Sequence, residues 1–285
     1  MEVFGEWTGR DPSVLLVDHG SLEPEPTLRL REVAEVVSGR CGMRVHPVSL
    51  NYSNRVDADA LEGRKALLLE EELRQLSSAG RRQFLLAPLF FGRGRNVKAV
   101  IPGVVKSLAG GFPGISVGFL PPLVDLRDPS DTGVAGIMAK GIRNTITETG
   151  MTDHVAVVIV DHGTPDPEVN AVRSRLVSQV AAVLGQEVGT VSAASMERRA
   201  GREYAFNDPL LEHILGSPGF DDDVVVSPVF LSPGRHAGPG GDIVRICAVA
   251  QKMNPPMRIA LTPLVGEFPE FPALLAKRIL CGLRA

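Results

Sequence analysis

Three residues in the second half of the chain have side chains that could together bind a divalent metal ion. They are His162, Glu197 and His236. Two neutral imidazoles and a carboxylate offer nitrogen and oxygen ligands that suit Fe, Co, Ni or Zn, and an open ligand set can pass a metal on as well as hold it. Either histidine or Glu197 could also accept a proton, because a general base works best when its pKa lies near the operating pH. The predicted chemistry is therefore the binding and transfer of a divalent cation.

The sequence around His236 is also suited to binding an anion. Arg235 precedes it within the glycine-rich segment SPGRHAGPGG (232–241), just ahead of a predicted helix. A guanidinium group and the backbone amides at the start of a helix favour carboxylates and phosphates. The expected anion-binding residues are this arginine and the turn residues after the strands: Arg235, Gly163, Thr164, Gly234 and Gly238.

These residues lie in segments that occur twice in the chain. The three matching pairs are VLLVDHGS (14–21) with VVIVDHGT (157–164), LLAPLFFGRGRN (85–96) with VVSPVFLSPGRH (225–236), and PPLVD (121–125) with TPLVG (262–266). Matches in the same order at nearly constant spacing indicate an internal duplication. We predict two homologous halves, 1–148 and 152–285, which are joined near Gly150.

Each half alternates short apolar runs with stretches of helical periodicity. In the first half, strands are predicted at 13–18, 43–50, 83–90 and 115–120, and helices near 27–38, 57–79, 98–109 and 132–148. In the second half, strands are predicted at 155–160, 187–195, 223–230 and 257–264, and helices at 167–184 and near 201–215, 239–252 and 270–283. Strands that are apolar on both faces and are followed by helices predict two doubly wound α/β domains with parallel sheets.

The predicted sheet explains how distant residues could form one site. In doubly wound sheets the ligand lies beyond the carboxyl ends of the strands. His162, Glu197 and His236 follow the first, second and third strands of the second half. We therefore expect these three side chains to point into the same cleft.

Composition excludes several other classes of protein. The chain has 285 residues, of which 44% are hydrophobic, and 30 basic against 33 acidic residues give a net charge of −3. This balance argues against non-specific binding to nucleic acid. The three cysteines form no CxxC pair, which excludes a disulfide framework or a zinc finger.

The chain shows no signal peptide and no long apolar run. We therefore expect a cytoplasmic monomer with two pseudo-symmetric halves and no membrane contact. An organelle stroma is the alternative location if the chain is a trimmed precursor.

The combined motifs resemble the sirohydrochlorin chelatases, the class II chelatases of CbiX/SirB type. The resemblance rests on the strand followed by DHG[ST], the acidic residue after the second strand, and SPVFLSPGRH (227–236), and it is strongest over 155–245. It implies a lyase-type enzyme that inserts Co²⁺ or Fe²⁺ into sirohydrochlorin, a polycarboxylate tetrapyrrole, without ATP, in sirohaem or cobalamin biosynthesis. No cofactor is implied beyond the divalent metal substrate, which could also be Ni²⁺.

The same resemblance assigns roles to individual residues. It implies that His162 and His236 bind the metal and accept protons, and that Glu197 matches the acidic residue of the family. In the first half, Asn96 stands opposite His236, and the spacing between the two DHG motifs places Asn54 opposite Glu197. We therefore expect one working site, in the second half, with the first half forming the opposite wall of the cleft and His19 as a relic or a weaker ligand.

Two other functions are alternatives to this one. A degenerate chelatase fold that carries or senses a tetrapyrrole or a metal would show the same motifs and stays open as the alternative. A histidine phosphatase is excluded, because that chemistry needs an arginine before the histidine, where Asp18 and Asp161 stand here. These two aspartates could orient the neighbouring histidines or accept hydrogen bonds from loop amides.

Overall fold

The computed structural model describes residues 1–152 and 154–284. The strands are β1 (Glu2–Phe4), β2 (Ser13–Asp18), β3 (Val45–Ser49), β4 (Gln83–Pro88), β5 (Ser116–Phe119), β6 (Ala156–Asp161), β7 (Val191–Ser195), β8 (Asp223–Pro228) and β9 (Arg258–Leu261). The helices are α1 (Pro24–Cys41), α2 (Leu69–Ser78), α3 (Ile101–Gly111), α4 (Gly133–Thr149), α5 (Pro167–Leu184), α6 (Leu211–Ile214), α7 (Asp242–Met253) and α8 (Glu270–Gly282).

The chain packs into two compact units. The first comprises Met1–Asp125 and the segment from Pro272 onwards, and the second comprises Leu126–Phe271. Helix α4, which ends the first sequence repeat, thus belongs to the second unit, and most of α8 belongs to the first. Division by packing therefore differs from the boundaries 1–148 and 152–285 that the repeat predicts.

The first unit contains a five-stranded sheet with the order β1-β5-β4-β2-β3. Strand β1 pairs antiparallel with β5, and the other neighbours pair in parallel. The central strands β2 and β4 are apolar on both faces, and residues 14–17 and 84–86 are fully buried. Helices therefore cover both faces of the sheet, as this pattern requires.

The second unit contains a four-stranded parallel sheet with the order β7-β6-β8-β9. Its central strands β6 and β8 are equally apolar, with 157–160 and 224–226 fully buried. The strands predicted from the sequence are confirmed to within four residues at each end, except that β1 was not predicted. Both sheets are doubly wound, which confirms the predicted fold class. Within the described residues, no helix is both long and apolar enough to cross a bilayer.

Two predicted helices were wrong in part. The helix expected at 57–79 is confined to α2, because Glu62 and Gly63 both have positive φ values, 57° and 75°, which a right-handed helix cannot accommodate. The segment before α2 is instead extended, and Leu68 forms a β-bridge with Ser49. The helix expected near 201–215 is a 3₁₀ turn, Arg202–Asn207, followed by the short α6. Pro209 lies between them and has no amide hydrogen to continue a helix.

Candidate functional site

The ends of β6, β7 and β8 bring His162, Glu197 and His236 together. The rings of His162 and His236 are 4.6 Å apart at their centroids and nearly perpendicular, with an interplanar angle of 75°. His162 Nε2 lies 3.6 Å from Glu197 Oε1. All three side chains are at least partly exposed. The expected convergence of these residues is therefore seen in the second unit.

Backbone contacts between two turns hold His162 and Glu197 at this distance. Asp161 pairs with Ser195 across β6 and β7, and the next contact is a hydrogen bond of 3.2 Å from the Glu197 amide to the His162 carbonyl. Gly163 has a φ of 92°, and a Cβ atom there would lie 1.9 Å from the Glu197 carbonyl oxygen. Glycine is thus required for the turn after β6 to approach the turn after β7.

The hydrogen bonds of the two imidazoles determine which ring nitrogen carries the proton. His162 Nδ1 lies 3.1 Å from the Gly163 carbonyl oxygen, and His236 Nδ1 lies 2.7 Å from Asp242 Oδ2. Both partners are acceptors, so Nδ1 donates in each case. In the neutral rings Nε2 then keeps its lone pair. Both histidines are therefore prepared to bind a cation or accept a proton through Nε2.

Asp242 is the site residue that the sequence reasoning missed. It is the first residue of α7, and its carboxylate accepts hydrogen bonds from Arg245 and from His236. These two hydrogen bonds, that of Arg245 first, lower the pKa of Asp242 below its ordinary value. The only signal in the sequence was an acidic residue at the start of the helix that follows GRH.

Asp161 accepts hydrogen bonds from the loop and from Ser195, and among the described residues the imidazole of His162 donates none to it. Its Oδ1 accepts hydrogen bonds from Ser195 Oγ at 2.6 Å and from the Gly163 amide at 3.1 Å, and Arg173 lies 3.7 Å away. Burial raises its pKa, although these partners act in the opposite direction. Of the two roles left open for this aspartate, the structure shows the one with the loop amide.

The predicted anion-binding residues fall into two groups: one arginine without a partner among the described residues, and backbone amides that already donate hydrogen bonds within the protein. The Arg235 side chain is exposed and makes no hydrogen bond or ion pair with the rest of the described chain. The amides of Gly163, Thr164 and Gly234 instead donate within the protein, to Asp161, Asn207 and Ala237. The role of Gly163 and Thr164 in binding ligand carboxylates stays a prediction, and their amides already have acceptors within the protein. Gly238, with a φ of 95°, forms the turn after His236.

The first unit has the same turns with different chemistry. Asn96 Nδ2 lies 3.2 Å from His19 Nδ1. Because an amide nitrogen donates, Nδ1 of His19 accepts, and the proton of the neutral ring is on Nε2. This is the opposite tautomer to that of His162 and His236. The nitrogen with a lone pair is thus already engaged in the first unit.

The counterpart of Glu197 is Asn51, so the correspondence with Asn54 was wrong. The Asn51 amide donates to the His19 carbonyl at 3.1 Å, as the Glu197 amide does to that of His162. Asn54 lies in the following 3₁₀ turn and contacts Glu71. The second unit has an additional turn, Gly185–Glu187, between α5 and β7, which shifts the alignment of everything after it. The first unit still lacks the carboxylate.

No group of three His, Cys, Asp or Glu side chains among the described residues stands in a ready metal-binding arrangement. The metal-binding and catalytic roles of His162, His236 and Glu197 therefore stay predictions. The geometry shows that they are neighbours and that two of them present Nε2 lone pairs.

Comparison with known proteins gives the family and the fold. The family model described as CbiX matches residues 13–126 and 156–280 and thus covers both repeats. No curated protein sequence matches the chain significantly.

Solved structures share this fold at low sequence identity. SirB from Bacillus subtilis with Fe³⁺ has a TM-score of 0.72 at 15% identity, with 95% of each chain covered. SirB from Bacillus subtilis subspecies spizizenii, a sirohydrochlorin chelatase in complex with cobalt, has a TM-score of 0.65 at 16% identity over 96% of this chain and 95% of that chain. CbiX, the terminal enzyme of sirohaem biosynthesis in denitrifying bacteria, has a TM-score of 0.62 at 16% identity over 94% and 98%.

Proposed function

Because the chain belongs to the CbiX family, we propose that it is a chelatase that inserts Co²⁺ or Fe²⁺ into sirohydrochlorin or a related polycarboxylate tetrapyrrole without ATP. The observation that carries this proposal is the pair His162 and His236, whose rings are 4.6 Å apart beside Glu197. The structural neighbours support it, because two of them are SirB with iron or cobalt and one is CbiX of sirohaem biosynthesis.

Metal insertion requires a divalent ion to replace two pyrrole N–H protons of the macrocycle. In the proposed reaction, the Nε2 atoms of His162 and His236 bind the ion and displace part of its water. Two metal–nitrogen bonds to the tetrapyrrole then form as two N–H bonds break. Glu197, 3.6 Å from His162 Nε2, accepts one proton, and an imidazole released by the metal accepts the other.

Arg235 supplies the positive charge that such a substrate needs. Its guanidinium has no partner among the described residues and is adjacent to His236, so it can pair with a carboxylate of the macrocycle while the histidines face the metal. No covalent intermediate is needed, because the site acts by bringing metal, macrocycle and base together.

A turnover assay tests the proposal against a carrier or regulator. Purified protein is mixed with sirohydrochlorin and Co²⁺, and the change of the absorption spectrum is followed against the uncatalysed reaction. A chelatase accelerates the change with many turnovers per protein molecule. Binding of the tetrapyrrole with no acceleration for Co²⁺, Fe²⁺ or Ni²⁺ would show that the carrier is the correct alternative. The same comparison of three ions identifies the preferred metal, since imidazole and carboxylate ligands accept all of them.

A further inference from the structure

The first unit contains a cavity of about 430 Å³ that none of the site residues line. It lies between α1, β3 and the extended segment 64–67. Its size is within the range of about 300 to 1,000 Å³ that is typical of small-molecule sites. None of the residues proposed to face the metal and the tetrapyrrole line this cavity, so we consider a different ligand for it.

The charge of the cavity wall is predominantly positive. Four cationic side chains line it, against two carboxylates, Glu35 and Glu72. Two of the cations, Arg44 and Lys65, make no hydrogen bond or ion pair in the part of the chain that the structure describes. Unpaired cations around a concave surface attract an anion and concentrate it there.

The remaining two cations, Arg31 and Arg64, already have partners within the protein, and Arg64 forms an ion pair with Glu62 at 3.2 Å. Arg31 donates to the backbone carbonyls of Leu61 and Arg64 at 2.8 Å and 2.6 Å and thereby holds the segment at the cavity wall. Burial and the neighbouring charge of Arg64 lower the pKa of Arg31, and Glu62 acts in the opposite direction. The positive charge available to a ligand therefore comes from Arg44 and Lys65.

The inner wall provides apolar surface and polar anchors. Leu30, Ala34 and Val45 are buried and apolar. Thr27 is only 4% exposed, and its hydroxyl group has no hydrogen-bond partner among the described residues. Beside them, His46 Nδ1 is held 2.5 Å from Glu72 Oε1. A buried hydroxyl without a partner is unfavourable unless a ligand or a water molecule satisfies it.

Comparison with the second unit explains why space is left here. The residue that corresponds to Leu30 is Arg173, which donates to Ser195 Oγ and to the carbonyls of Phe206 and Asn207. Ser195 corresponds to Ser49, which lines the cavity. In the second unit, a buried guanidinium thus bridges the strand and the loop. In the first unit the shorter Leu30 leaves that region open.

We propose that this cavity binds a small organic anion with an apolar body and one carboxylate or phosphate group. Arg44 and Lys65 hold the anionic group, and the body lies against Leu30, Ala34 and Val45. The site is separate from the histidine pair, and its test does not depend on metal insertion.

Calorimetric titration of the full chain with three small molecules of similar shape tests this inference. Benzoate carries a carboxylate, phenyl phosphate carries a phosphate, and benzamide is neutral. We expect at least one of the two anions to bind at least tenfold more tightly than benzamide. Preference for one anion over the other identifies the anionic group. Equal affinity for all three probes, or no binding of either anion up to about 10 mM, would overturn the proposal.

Matched variants locate the bound anion. The double variant Arg44→Gln/Lys65→Gln removes two charges and keeps most of each side chain, so anion affinity is expected to fall at least tenfold while benzamide binding and metal insertion stay unchanged. Arg40→Gln is the control, since Arg40 is exposed on α1 and does not line the cavity. If Arg235→Gln abolishes anion binding and the double variant does not, the anion binds beside His236 and the inference is wrong.

Discussion

The Nδ1–H group of His236 donates to the carboxylate of Asp242 over 2.7 Å, and this hydrogen bond directs the Nε2 lone pair of the ring outwards. A carboxylate in this position fixes the tautomer and orientation of an imidazole and makes it a better ligand. Asp242 is itself held by Arg245 and by its place at the start of α7, where a negative charge is favourable. We therefore regard Asp242 as a positioning residue of the site.

Replacing this carboxylate should weaken the site without unfolding the protein. Asp242→Asn removes the charge that favours the donating Nδ1–H, so Co²⁺ affinity or kcat is expected to fall about ten- to a hundredfold. Titration calorimetry with Co²⁺ measures the binding directly, and Asp242→Glu should restore part of it. Asp222→Asn, at an exposed position of the same unit, is the control. Unchanged Co²⁺ affinity and unchanged kcat in Asp242→Asn would remove Asp242 from the site.

The contact between the turns after β6 and β7 should be sensitive to a single methyl group. Gly163→Ala combines a positive φ with a Cβ only 1.9 Å from the Glu197 carbonyl oxygen, so the turns must separate. Gly150→Ala is a matched control, because Gly150 also has a positive φ, 64°, but faces open space. In urea titrations, Gly163→Ala should cost at least about 1 kcal/mol more free energy of unfolding than Gly150→Ala. It should also reduce activity, because Glu197 moves away from His162. Equal losses in the two variants would show that the close approach has no energetic consequence.

Asp18 should make the stability of the protein depend on pH. Burial raises the pKa of Asp18 to about 6, and its Oδ1 has no hydrogen-bond partner among the described residues. The folded state therefore keeps a proton that the unfolded state loses above about pH 4. The free energy of unfolding is expected to fall from about pH 4 to about pH 6 by up to about 3 kcal/mol from this group, and then to level off.

Asp18→Asn tests that expectation, because an amide does not titrate in this range. The free energy of unfolding of the variant minus that of the wild type is the gap that we compare. It should increase from pH 4 to pH 6, because only the wild type loses stability over this range. Chemical denaturation at several pH values gives this gap. Glu148→Gln, at an exposed residue of α4, is the control for a carboxylate-to-amide change outside the buried site. A constant gap for Asp18→Asn would mean that Asp18 titrates normally.

The convergence of His162, Glu197 and His236 was predictable because it follows from topology. Parallel strands end at one edge of the sheet, so residues placed directly after neighbouring strands must meet there. The buried strands were predictable for a similar reason, since an uninterrupted β-branched run such as 157–160 fits only a covered sheet. These features depend on local sequence and on a fixed geometric rule.

The features that could not be predicted depend on contacts between loops. The bond between His236 and Asp242 depends on how the turn at 237–241 folds back, and sequence spacing does not reveal this. Asn51 and not Asn54 is the counterpart of Glu197 because the second unit has the additional turn Gly185–Glu187. The helix predicted at 57–79 is interrupted at Glu62, a non-glycine residue with positive φ. Propensity gives no warning of such a residue.

A pair of matched histidine variants shows whether the working site lies in the second unit. His236→Ala and His19→Ala are compared with the wild type for the initial rate of Co²⁺ insertion into sirohydrochlorin. Because His236 presents a free Nε2 lone pair and His19 is the opposite tautomer, His236→Ala should lower the rate at least about a hundredfold. His19→Ala should lower it less than about threefold. A large loss in His19→Ala with near-normal activity in His236→Ala would place the working site in the first unit instead.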